Sequence, residues 1–274
     1  MKKHLSFSCF TAVTAAVALS VPSGETAHAQ ISAAAFEPPA VFQAAGPNIA
    51  SIQGIIDQYR LAIGGINNGN NPGPLPTGRR EINWDGGGST ATSPGPTPFL
   101  VFLNTRGAFI ETPGSGFVQA PLDGLVTTFG NPSYATTFQP FSPVRLFSPV
   151  GSRITEVTFF VPGTGTGTPA TTRGFGAIFS DVDQPTGDAG TKRVDAKGST
   201  LIRYLGQSGE LLYSTFVPAS PGNASLSFLG ILFDDPRVAR VVIFGGNATP
   251  GKNDAGGTDI VMMDDFIYAE PQAK

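Results

Sequence analysis

From residue 30 onward the chain has no histidine and no cysteine; His4, His28 and Cys9 all precede that point. Nucleophilic catalysis of the Ser-His-Asp or Cys-His type needs an imidazole that titrates near neutrality. Zinc and copper sites normally draw their ligands from His and Cys. Neither chemistry is open to residues 30–274, and neither is disulfide stapling. What remains is 13 Asp and 6 Glu, together with Tyr, Lys and Arg. Such carboxylates do two things well. They hold hard cations such as calcium, and in pairs they hydrolyse glycosidic bonds.

Three acidic groups need an explanation. In Thr258–Tyr268 (TDIVMMDDFIY) strand alternation puts Val261, Met263, Asp265 and Ile267 on one face. Ile260, Met262, Asp264, Phe266 and Tyr268 fall on the other. Both faces are apolar, so at least one of Asp264 and Asp265 points into packed surroundings. There it needs an arginine, backbone donors or a cation, since an unpaired buried carboxylate is costly. Arg173, Arg203 and Arg240 are the arginine candidates. In Phe175–Asp183 (FGAIFSDVD), Asp181 and Asp183 continue the face of Phe175, Ala177 and Phe179, and Asp188 follows in a loop. These oxygens either bind calcium or form Asx turns in a solvated loop. The spacing is not that of an EF-hand. The calcium ligands expected are Asp181, Asp183, Asp264 and Asp265. The third group, Asn83–Gly88 (NWDGGG), holds Asp85 and the only tryptophan. Trp84 is either a platform for a sugar ring or a core residue. Ligand-binding candidates are Trp84, Asp85, Tyr204 and Tyr213, with Tyr134 a further exposed-aromatic candidate. Asp254 and Asp259 flank a Gly-rich loop and read as turn formers. Conceivable catalytic pairs are Glu81 with Asp85 and Asp181 with Asp264.

The elements that must position these groups follow from composition and period. Gly (35) and Pro (24) make up 59 of 274 residues, about 22%, against roughly 12% in average usage. Charged residues are 14% and apolar ones 40%. The formal net charge is −3, so no basic footprint for nucleic acid is present. Residues 1–29 have the pattern of an export signal: Lys2 and Lys3, an apolar stretch from Thr11 to Val21, and Ala27-His28-Ala29 before the cut. Residues 30–46 read as a flexible leader. Within 47–77, Ile52, Ile55, Ile56, Tyr59 and Ile63 mark one face of a helix that Asn48 caps and Gly64-Gly65 ends. A turn-rich linker follows. Short apolar runs then fill 78–270, including 80–84, 99–103, 107–111, 125–129, 173–182, 199–206, 210–217 and 259–269. They predict an antiparallel β-sandwich or jelly roll with one short N-terminal helix. Leu201–Leu205 and Leu211–Val217 form the predicted hairpin, and 271–274 are a tail. No later segment is long and apolar enough to span a membrane.

Several strings occur together: Gly78–Gly86 (GRREINWDG), Gly174–Asp183 (GFGAIFSDVD), Leu226–Ile231 (LSFLGI) and Met263–Tyr268 (MDDFIY). The combination resembles a group of uncharacterised secreted bacterial proteins, some of which carry C-terminal sorting signals of the PEP-CTERM kind. The resemblance covers most of residues 50–270. It implies an exported bacterial β-sandwich in the envelope or outside the cell, and it assigns no activity. No sorting anchor follows Glu270-Pro271. At the level of fold alone, an acidic pair on a last strand is similar to jelly-roll carbohydrate-binding modules, in which a structural calcium is common.

Three functions fit these expectations. The first is a secreted, non-catalytic module binding a glycan or another cell-surface or matrix component. The second is a glycan-cleaving enzyme that works with two carboxylates. The third is a structural matrix or adhesion protein.

Overall fold

The structure is a computed structural model that describes residues 37–86, 95–184, 200–252 and 257–274. The export signal, most of the leader, Asp188 and Asp254 lie outside these residues.

Two antiparallel sheets face each other. The first runs β1 (Ala40–Gly46), β11 (Leu226–Leu232), β8 (Gly174–Ser180), β13 (Met262–Ala269), β5 (Leu146–Val150) and β4 (Gly116–Ala120), and β2 (Arg79–Ile82) also pairs with β13. The second runs β10 (Leu211–Phe216), β9 (Leu201–Leu205), β12 (Arg240–Phe244), β6 (Ile154–Phe159) and β3 (Ala108–Glu111). A small ribbon joins β14 (Gln272–Ala273) to β7 (Ala170–Thr171). The main core lies between the large sheets. Phe117, Phe147, Phe175, Phe179, Phe266 and Tyr268 meet Ile110, Val157, Phe159, Ile202 and Val241 across it. The expected β-sandwich is therefore present, and so is the β9–β10 hairpin.

The first sheet is covered on its other face as well. Helix α1 (Ile49–Ala62) lays Ile52, Ile56 and Tyr59 on Ile178, Leu226, Phe228 and Ile267. At the other end, α3 (Leu122–Phe129) and α4 (Tyr134–Thr137) bury Leu125, Phe129 and Tyr134 against Val118, Leu146 and Met262. This double cover is why β8 and β13 are buried at every position, and why they read as continuous apolar runs.

Helix α1 forms where its apolar period predicts. Asn48 caps it, its side chain accepting a hydrogen bond from Ser51 N at 3.2 Å. The docking has a specific shape. Gly176 and Gly230 face each other across β8 and β11, and the Tyr59 ring fills the trough they leave. A Cβ on either glycine would come within 2.9 Å of that ring. The Tyr59 hydroxyl donates to Ile231 O at 3.2 Å.

Three expectations about elements need correction. The 125–129 run is the second half of α3 and not a strand. Leu125 and Phe129 are both buried, four residues apart on one helical face. At 99–103 only Phe99 makes a β-bridge, to Ile110, and Leu103 already begins the one-turn α2 (Leu103–Arg106). The end of the expected leader is β1, whose backbone pairs with β11 from Ala40↔Leu232 to Gly46↔Leu226. The chain thus has four helices among its described residues, where one was expected.

Candidate functional site

The acidic pair of β13 sits on a β-bulge. Met263 is opposite Phe179 and Phe266 is opposite Ala177, so three steps on β13 span two on β8. The extra residue breaks the alternation. Met263 and Phe266 both face the inter-sheet core, while Met262 and Ile267 join the clusters on the other face. Simple alternation had put Met263 and Phe266 on opposite faces. Because of the bulge, both carboxyl groups reach the same partner on the α1 side. Ser142 Oγ lies 3.1 Å from Asp264 Oδ1 and 2.7 Å from Asp265 Oδ1.

The neighbour of β13 also changes at this point. Met263 pairs with Phe147 of β5, and Phe266–Ala269 pair with β2. The backbone in the gap finds other partners. Trp84 Nε1 donates to Asp264 O at 2.8 Å, and Phe141 N donates to Asp264 Oδ2 at 2.6 Å. Arg60 of α1 lies 3.6 Å from Asp265 and 2.9 Å from Glu81. The arginine that serves the pair therefore comes from the helix and is none of the three expected from the strands. Arg240 pairs with Glu156 at 3.1 Å, and Arg203 lies over the Phe244 ring at 4.9 Å.

Asp264 and Asp265 are 0% and 2% exposed. Burial raises the pKa of Asp264 well above the carboxylate range, and the charge of neighbouring Asp265 raises it further. Burial raises Asp265 too, while hydrogen bonds from Asp264 and Ser142 hold it down. Of the two, Asp264 is thus the more strongly biased toward its protonated form. Such a pair has the makings of an acid–base dyad, but it is closed off. An ion pair fastens α1 to β13 here, and hydrogen bonds fasten the 141–142 segment to it.

The second acidic group forms separately. Asp259, at the entry to β13, accepts hydrogen bonds from Asp183 N at 3.3 Å and Gln184 N at 3.2 Å. Burial lifts its pKa from 3.8 to about 6, against the effect of those two donors, and the Asp183 charge adds to the rise. The Asp183 carboxylate accepts from Gly222 N at 2.7 Å. Asp181 is buried, with φ +70°, and its backbone N–H bonds to Ser225 O. Asp183 is therefore in contact with Asp259, and the bulge pair has other partners. Among the described residues no three His, Cys, Asp or Glu side chains form a group that could hold a metal ion. They give the calcium expectation no support.

The expected ligand-binding side chains are mostly interior. Trp84 is fully buried and stacks on Phe147 at 3.7 Å, with the planes 6° apart. No ring face is left for a sugar, and the core alternative is the correct one. Tyr204 and Tyr134 are also fully buried, and the Tyr204 hydroxyl donates to Phe175 O at 3.2 Å. Tyr213 is half-buried against the main core. Asp85 accepts from Arg145 N at 3.0 Å, which holds the Trp84 segment to the start of β5. Glu81, one of the conceivable catalytic pair with Asp85, is taken up by Arg60 and Arg79.

One more charged cluster, not among the expected sites, lies beside the linker. Arg80 and Glu270 form a buried ion pair with two contacts of 2.6 Å. Arg80 also donates to Gly69 O and Asn71 O, each at 2.7 Å, and Glu270 accepts from Asn68 Nδ2 at 2.8 Å and Leu75 N at 3.1 Å. This network organises the 67–77 linker. Beside it opens a pocket of about 190 Å³. Its walls are Ile63 and Gly64 after α1, Pro76–Gly78, Arg173, Asp234 and Pro236, and Ala269, Glu270 and Gln272. The backbones of Gly64 and Gly78 touch here: a Cβ on Gly64, at φ +135°, would lie 2.7 Å from Gly78 N. Arg173 was one of the three candidate arginine partners for Asp264 or Asp265. Among the described residues its guanidinium has no hydrogen-bond or ion-pair partner, and its Nε is shut off from solvent. No described helix is long and apolar enough to cross a membrane. No protein-family model, no curated protein and no solved structure matches this chain.

Proposed function

We propose that the chain is an exported, non-catalytic binding module that takes part of a glycan or of another cell-surface or matrix component into the Arg173 pocket. One observation carries this reading: the pocket is lined by an arginine that makes no hydrogen bond or ion pair among the described residues. A guanidinium facing a pocket can give a carboxylate or hydroxyl oxygen charge-assisted hydrogen bonds. The carboxylates that would serve catalysis are otherwise engaged. Asp264 and Asp265 are buried on Ser142 and Arg60, and Glu270 is held by Arg80. Export rests on the pattern of residues 1–29 and on the resemblance to secreted bacterial proteins.

The test is retention on immobilised neutral and acidic polysaccharides and on cell-envelope fractions. The wild-type chain is expected to bind at least one of them saturably, with affinity falling about tenfold or more in Arg173→Ala, the loss typical of a removed charge-assisted bond. Failure of the wild-type chain to bind any of them sinks the proposal.

A further inference from the structure

We infer that the group held in this pocket is a single carboxylate on a sugar-sized, hydroxyl-bearing residue: a uronate of an acidic glycan. The inference rests on the binding-module reading and names its ligand class.

Charge comes first. Among the described residues, Arg173 is the one cationic side chain lining the pocket. Glu270 is matched there by Arg80, which approaches it twice at 2.6 Å. Asp234 stands exposed at the rim. One guanidinium can match one carboxylate, and the exposed Asp234, which offsets that charge, leaves nothing for a second. A phosphate dianion or a dense array of sulfates would call for a cluster of cations. The guanidinium fork fits the two oxygens of a carboxylate side by side. The buried Nε–H is out of a ligand's reach, so the fork is offered by the terminal nitrogens.

Size and lining come next. At about 190 Å³ the pocket falls below the roughly 300–1,000 Å³ typical of sites for drug-sized ligands. It suits one residue of a polymer. Pro76, Pro236 and Ala269 offer an apolar wall for the C–H face of a ring. Two polar groups are open to hydroxyls. Gln272 commits its Nε2 to Leu75 O at 2.7 Å, and among the described residues its Oε1 and the Thr77 hydroxyl make no hydrogen bond.

The experiment is calorimetric titration of the full chain with four probes: trigalacturonate, its methyl ester, a sulfated trisaccharide, and a short peptide ending in a free carboxylate. Trigalacturonate is expected to bind, and its neutral ester to bind about tenfold more weakly or worse. Arg173→Met is expected to remove the difference between acid and ester. Asp234→Asn is expected to tighten the acid about two- to threefold at low salt, by removing a like charge near the surface. That gain cannot come from misfolding. Equal binding of acid and ester, both lost in Arg173→Met, overturns the uronate assignment and leaves the binding module standing. Preference for the sulfated sugar or the peptide overturns it too. No binding of any glycan sinks the assignment, and if the polysaccharide and envelope panel is also negative, the module falls with it.

Discussion

Two aspartates share one serine hydroxyl at the bulge of β13, and a third, Asp259, is buried at its entry. All three are held above the ordinary carboxylate range in the folded chain. A carboxyl raised in this way binds its proton more tightly folded than unfolded. Its contribution is present in full below its unfolded value and is lost as pH rises through its folded value. For Asp259 that window runs from 3.8 to about 6, and the loss across it amounts to about 3 kcal/mol. Asp264 acts in the same direction. The urea midpoint should therefore fall between pH 4 and pH 6.5, on the order of the Asp259 window, and Asp259→Asn should show a flatter profile. A midpoint that climbs through this range would contradict the buried, protonated carboxyls. The need for a partner at Asp264 or Asp265 was legible, because both faces around them are apolar. The partners were not. Alternation is a local rule, and the bulge that cancels it depends on how β13 pairs with β8.

At the scale of elements, α1 shows how far local pattern reaches. Its apolar stripe and its Asn48 cap are properties of sixteen neighbouring residues, Asn48 to Ile63, and both form as read. The trough that receives it is not local. It exists because Gly176 and Gly230 happen to be register partners on β8 and β11. Gly230→Ala should push a methyl into the Tyr59 ring and into Phe228, lowering stability by about 1–3 kcal/mol, the usual cost of overpacking. Placed in a Tyr59→Leu background, the same change should cost distinctly less. Equal costs in the two backgrounds, measured by thermal melts, would mean the glycines do not form a seat for the helix. Helix α3 marks the opposite case. Leu125–Phe129 is short, apolar and rich in β-branched residues, so periods of two and of nearly four fit it about equally well. Contacts with Val118 and Leu146 decide for the helix.

At the scale of the molecule, Arg80 and Glu270 close the chain on itself across 190 residues. Removing one partner strands a buried charge. Glu270→Ala should lower the unfolding free energy by about 3–5 kcal/mol, and the double variant Arg80→Met/Glu270→Leu should recover much of that loss. A denaturation series that shows under 1 kcal/mol for Glu270→Ala would mean water reaches the pair. Composition and period alone determined the class of this protein: mainly β, one N-terminal amphipathic helix, no imidazole or thiol beyond residue 29, and carboxylates as the residual chemistry. Those features are sums over residues or patterns among near neighbours, so they need no fold to be read. The tertiary structure decided which of the candidate groups are interior and which face a pocket. It placed Trp84, Tyr204 and the bulge aspartates inside, and it set Arg173 in the wall of a pocket with Ala269, Glu270 and Gln272. Burial and pairing at these positions depend on contacts between segments tens to hundreds of residues apart, and no local period encodes them.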